Sequence, residues 1–138
     1  MELIFNLSNL VVMPFWLAMI FAPHWKVTQA TLRSLWVVVP PALLYTALVL
    51  PALPELVRLT SSPSFELIAS GLGTPAGAAA VWAHLVTFDL MAGRWIYLDS
   101  QERNLSAWLI SPVLFLTLML GPVGMLSYLI LRSTRKTA

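Results

Sequence analysis

The stretch AAAVWAHLVTFDLMAGRWIYLD, residues 78–99, decides how the rest of the chain is read. Ala78–Leu98 is 21 residues long, and a helix needs roughly 20 to cross the hydrocarbon core of a bilayer. It has no proline and opens on small residues, yet it carries His84, Asp89 and Arg94 inside the apolar run. Asp89 lies 11 residues after Ala78 and nine before Leu98, at the centre of such a span. An acidic group there costs about 2.5–3.5 kcal/mol on insertion scales, so it is kept only if paired, protonated or in contact with a wet cavity.

Three more apolar stretches flank this one. Leu3–Ala22, Ser34–Ala52 and Ala107–Leu131 run 20, 19 and 25 residues, which predicts an all-α, single-domain polytopic membrane protein built as a bundle of four transmembrane helices. Composition agrees, with 59% of the 138 residues hydrophobic, 10% charged and a mean hydropathy of +0.82. A soluble chain carries about 25% charged residues. The surplus of apolar side chains must face lipid, which excludes a secreted disulfide scaffold, a nucleic-acid module and a disordered tail. Without cysteine there is no thiol nucleophile and no Cys-based metal site, and two histidines, one of them the interfacial His24, are too few for a metal centre. Neither metal nor cofactor is expected, and no nucleic-acid partner. The first stretch carries Glu2 and no Lys or Arg at its head, and Pro23–His24 follows where a signal-peptide cleavage site belongs, so it is read as a retained helix.

Four spans place both termini and the 55–77 loop on one side of the membrane. Lys and Arg then divide four (Arg58, Arg132, Arg135, Lys136) against three (Lys26, Arg33, Arg103), and the tail cluster alone tips the termini towards the cytoplasm. Trp25, Trp36, Trp95, Tyr97 and Trp108 gather beside the two loops of the other side, at headgroup level. The 55–77 loop predicts two short amphipathic pieces, broken at Ser61–Ser62–Pro63, lying along the membrane surface as a lid or as slack. Pro14, Pro40–Pro41 and Pro122 predict kinks in the first, second and fourth helices, which either shape the packing or open a cavity around the straight third helix.

His84, Asp89 and Arg94 advance five residues at a time, so their side chains turn by about 140° at each step and do not share one face. Arg94 lies about 7.5 Å from Asp89 along the helix axis, within reach of it or free to snorkel outward. His84 sits about as far the other way, at the depth of Asn6 and Asn9, one of which is a candidate hydrogen-bond partner. Each has a structural reading: an interface anchor for Arg94, an ion pair for Asp89 with Arg94, a core histidine for His84. Together they also suit proton transfer near neutral pH.

The run Trp82-Ala-His84-Leu85-Val86-Thr-Phe-Asp89-Leu90-Met-Ala92-Gly-Arg94 resembles the W-x-H-L-hydrophobic-x-x-D-L-x-A-x-R helix of the abscisic-acid-deficient-four-like family of neoxanthin-synthase-associated membrane proteins. Met13-Pro14-Phe15-Trp16 with Ala22-Pro23-His24-Trp25 resembles its LPFY…APxW segment, and Gly121-Pro122-Val123-Gly124 resembles its CPVG turn, with glycine in place of cysteine. The resemblance covers nearly the whole chain and lacks the transit peptide of plant members, which reads as a bacterial or mature form in an inner, thylakoid or plastid membrane. It implies a carotenoid (xanthophyll) substrate and an isomerase of the kind that turns violaxanthin into neoxanthin. On that implication His84, Asp89 and Arg94 are the catalytic candidates, and Trp82, Trp95, Tyr97, Asn9 and Tyr45 contact the substrate. Two non-enzymatic alternatives stand beside it. One is a carotenoid-binding or assembly subunit of a larger membrane pigment complex; the other is a small proton or solute conductor. The second needs a homo-oligomer, for which the Ala78–Ala80, Ala83 and Ala92–Gly93 surface is a close-packing face.

Overall fold

A computed structural model describes residues 1–134. It is all-α, with three helices long and apolar enough to cross a membrane. The first, α1 (Glu2–Phe21), runs through Pro14 without a break. A short amphipathic helix, α2 (Lys26–Arg33), follows and buries Thr28 and Leu32. The second span is a continuous helical run, Leu35–Ser61. Within it a 3₁₀ turn, Leu35–Val38, passes into α3 (Val39–Val49), with Pro40 and Pro41 in the opening turn, where a missing N–H costs least. A second 3₁₀ turn leads into α4 (Leu53–Ser61). The chain then breaks at Ser62–Pro63, and α5 (Phe65–Leu72) starts at Ser64, whose hydroxyl accepts from the Leu67 N–H. The third span, α6 (Pro75–Glu102), is capped by Thr74 and is the longest helix in the described residues.

The last apolar stretch corrects the four-span expectation. Ala107–Leu131 is not one helix across the membrane but part of a hairpin of α7 (Ala107–Met119) and α8 (Gly121–Thr134), joined by the single residue Leu120 at φ −141°, ψ 66°. Thr117 and Gly124 would lie about 10 Å apart on a continuous helix. Here they are packed so closely that a Cβ on Gly124 would strike the Thr117 backbone. Pro122 has no N–H to continue the α7 ladder, while Val123 N and Gly124 N both turn onto the Leu120 carbonyl and start α8. Each arm is about 20 Å long, too short for a hydrocarbon core of about 30 Å.

The hairpin returns to the side it entered from. Ser111 Oγ, near the start of α7, donates to the Ile20 carbonyl at the end of α1. Near the end of α8, Tyr128 and Arg132 reach Asp99, close to the end of α6. The tip at Leu120–Gly121 meets Asp89, mid-way along α6. Three candidate spans and a hairpin that turns back put the start of α1 and the end of α8 at opposite ends of the bundle, in place of the same-side arrangement expected from four spans. Among described residues, Lys26, Arg33, Arg103 and Arg132 now share the far side, and Arg58 stands on the N-terminal side. Arg135 and Lys136 lie outside the described residues.

The large buried side chains are concentrated in the far half of the bundle. Trp16, Met19, Leu32, Leu90, Ile96, Tyr97, Leu114 and Tyr128 form one core there. Gly93 lets α6 approach α1 closely, since a Cβ on it would collide with the Trp16 indole. In the N-terminal half only small or polar residues are buried, Ser8, Ala79 and Ala83 among them.

Candidate functional site

The three polar residues of α6 face three different neighbours. Arg94 turns to α2 and donates from Nη2 to the Arg33 carbonyl at 2.8 Å, so it is not the partner of Asp89. His84 turns to α3, with its ring 5.4 Å from that of Tyr45 and 4.7 Å from that of Phe88 on its own helix. Asp89 turns to the hairpin tip. Its half-buried carboxylate occupies the space where a side chain on residue 121 would be, so that any residue but glycine there would have to displace it. It therefore lies against the first turn of α8, the positive end of that helix dipole. Among the described residues it makes no side-chain hydrogen bond or ion pair.

Because the hairpin turns back at Asp89, it covers α6 only on the far side of that residue. Below the tip, Val81, His84, Leu85, Phe88 and Asp89 follow the i, i+3, i+4, i+7, i+8 spacing of one helix face. The first four are exposed, Phe88 at 56% and Leu85 at 47%. Tyr45 of α3 borders this strip at His84. On its other edge, Trp82 donates from Nε1 to Asn9 Oδ1 at 3.1 Å and lies 5.2 Å, ring to ring, from Phe5. Asn9 is thus bound to Trp82 and to the Phe5 carbonyl, not to His84. A face left uncovered by the fold, with one carboxylate at mid-depth, is where a lipid-soluble ligand can lie against the protein without displacing any helix.

His84, Asp89, Trp82, Asn9 and Tyr45 are therefore brought together around one strip, whereas Arg94, Trp95 and Tyr97 lie in the packed half with partners of their own. Tyr97 is buried, and its hydroxyl donates to the Pro23 carbonyl at 2.5 Å, fastening the α1–α2 turn. Trp95 stands edge-on to Tyr128, with the Arg132 guanidinium 5.7 Å from its ring centre.

Sequence reasoning missed the group that holds the hairpin in place. Asp99 accepts from Arg103 Nε (2.9 Å), Arg132 Nε (2.9 Å) and Tyr128 Oη (2.5 Å), joining α6 to α8. The i,i+4 spacing of Asp99 and Arg103 was a readable signal. Nothing local pointed to Tyr128 and Arg132, which lie 29 and 33 residues away. No cluster of three or more His, Cys, Asp or Glu side chains able to hold a metal occurs among the described residues.

Comparison with known proteins places the chain in a family. No solved structure matches the chain. Protein ABA DEFICIENT 4, chloroplastic, of Arabidopsis thaliana is 26% identical over 136 residues, covering 94% of this chain and 60% of the relative. The chain thus spans about 60% of the length of the curated relative it matches. Residues 3–128, which take in all but the first residue of the three candidate spans and the turn of the hairpin, match the family described as ABA DEFICIENT 4-like, and the chain belongs to this ABA4-like family.

Proposed function

We propose that this protein binds an oxygenated carotenoid along the uncovered strip of α6 and isomerises its end group with Asp89 and His84. The observation that carries this reading is Asp89 itself. It is a carboxylate at membrane mid-depth, held against the α8 N-terminus by a glycine and open on its remaining side to a lipid-facing strip. The family and the name of the plant relative point towards the xanthophyll branch that leads to abscisic acid.

Opening an epoxide to an allenic alcohol is a mass-neutral isomerisation. A proton is added at the epoxide oxygen as its C–O bond breaks, and a proton leaves the neighbouring polyene carbon as the new double bond forms. No net electron transfer occurs. One donor and one acceptor suffice, and Asp89 and His84 stand at opposite edges of the strip, about 7.5 Å apart along the helix. The α8 dipole favours the ionised form of Asp89, the form that can receive the departing proton. His84 then protonates the oxygen. Phe88 and Leu85 between them offer the apolar surface a polyene needs, and Trp82 stacks at its edge.

The lateral openness of the strip favours a second reading, binding without conversion, because nothing in it shields a reactive centre from lipid. Pigment analysis of a carotenoid-producing host expressing the wild type, Asp89→Asn and His84→Ala at matched levels separates the two. A new xanthophyll isomer in the wild type, absent in both variants, supports conversion. Co-purifying pigment with an unaltered profile in all three refutes it and leaves binding.

A further inference from the structure

A partly open cleft of about 590 Å³ lies between the N-terminal ends of α1 and α6, the end of α3, and α4 and α5. It is within the roughly 300–1,000 Å³ of small-molecule pockets. Small residues make the room, with Ala47 of α3, Gly71 of α5 and Ala76, Gly77 and Ala80 of α6 on its wall. The corner that closes it is rigid. A Cβ on Gly77 would collide with the Gly71 carbonyl, and the Leu59 side chain packs over Gly71.

The polar side chains on this wall, Glu55 and Thr74, already have partners. Glu55 is paired with Arg58 by two hydrogen bonds, the longer 3.0 Å. Thr74 Oγ1 donates to the Gly71 carbonyl at 2.8 Å and accepts from the Gly77 N–H at 3.0 Å. With no free donor or acceptor aimed inward from a side chain, water gains little there, and the wall suits hydrocarbon. The space also adjoins the strip. Ala80 is one helical turn before His84, and Ala47 is two residues after Tyr45, so the His84–Tyr45 ring pair lies about one turn of α6 beyond its wall. From Ala80 to Asp89 is about 13.5 Å along α6.

We infer that this cleft houses the ring and adjoining polyene at the unreacted end of the elongated isoprenoid whose other end group meets Asp89, with α4 and α5 as its roof. The inference rests on the proposed carotenoid reading and adds to it an anchoring pocket that sets ligand length and end-group size. It fixes the direction in which the polyene lies, with its unreacted end towards the N-terminal side.

Ala80→Phe and Ala47→Phe, on two different helices, fill the cavity, and Leu56→Ala on α4 enlarges it. Each is purified from a carotenoid-producing host beside the wild type and Asp89→Asn, and polyene and phospholipid per protein are quantified. Elution profile and helical circular dichroism identify any variant that fails to fold. Filling should lower polyene retention by about tenfold, as overpacking of this size implies, with phospholipid content unchanged. Leu56→Ala should shift the retained pigments towards bulkier end groups, which keeps the test open if either Phe variant misfolds. Asp89→Asn should lose conversion, which separates damage at the reacting end from loss of anchoring. If folded Phe variants hold and convert pigment normally, the cavity is no part of the site, and the carotenoid reading survives without it. Loss of phospholipid in place of polyene would make it an acyl-chain site and overturn the inference. A wild type that holds no polyene overturns both.

Discussion

Gly121→Ala tests the contact on which the site depends. A Cβ at residue 121 would lie 2.9 Å from Asp89 Cγ and 3.3 Å from Oδ2, with Oδ1 closer still, where ordinary contacts begin at 3.4 Å. The Cγ distance alone requires a shift of about 0.5 Å, and overpacking of this kind costs about 1–3 kcal/mol. Asp89→Ala removes the obstacle, so Gly121→Ala should cost close to nothing in that background. The coupling energy of the double-mutant cycle should then be about 1–3 kcal/mol, within the span seen for residues in contact. Asp89→Ala alone should stabilise the fold. The insertion cost of about 2.5–3.5 kcal/mol for a mid-bilayer acid exceeds the roughly 1 kcal/mol gained at a helix N-terminus. Equilibrium unfolding in mixed detergent, followed by tryptophan fluorescence, measures all four corners. Strict additivity of the two substitutions would refute the placement of Asp89 against the hairpin tip.

Other consequences are separable. Asp99→Asn removes the negative charge and one of the two acceptor oxygens that serve Arg103, Arg132 and Tyr128, and should cost about 2–3 kcal/mol. Hydrogen exchange should then rise along Gly121–Thr134 while α1 and the middle of α6 stay protected. Gly93→Leu forces the buried Trp16 indole out of its place and should both destabilise the protein by more than about 2 kcal/mol and red-shift its emission. Asn9→Leu takes away the acceptor of the Trp82 indole; pigment retention should fall while thermal stability changes by less than about 1 kcal/mol. The cysteine-free chain allows single labels, and Phe65→Cys and Arg103→Cys should react from opposite sides of sealed vesicles, with Arg103 on the cytoplasmic or stromal side that carries the excess of Lys and Arg.

The residues show why some of this was legible and some was not. Hydrophobic length alone found α1, α3 and α6, because each apolar run closes its own backbone hydrogen bonds and needs no partner to be recognised. The same criterion misread Ala107–Leu131, where length is satisfied but the direction reverses. The turn depends on two glycines and a proline whose effect is set by what lies against them, Thr117 for Gly124 and Asp89 for Gly121. Five-residue spacing correctly separated His84, Asp89 and Arg94 around α6, but which neighbour each one faces follows from tertiary packing. Arg94 ends on a backbone carbonyl of α2, and Tyr97 on one in the α1–α2 turn. Carbonyls carry no residue identity, so no sequence pattern announces such partners. The uncovered strip is visible only once the hairpin is known to stop at mid-depth.

The central claim is that Asp89, at the tip of the re-entrant hairpin, acts on a bound xanthophyll. Its most direct test is incubation of wild-type and Asp89→Asn protein in liposomes with an epoxy-xanthophyll, resolving the pigments by chromatography and mass. The account predicts a product of unchanged mass with the wild type only, and equal pigment retention by both proteins. Conversion undiminished in Asp89→Asn, or no product from a wild type that holds the pigment, would contradict it.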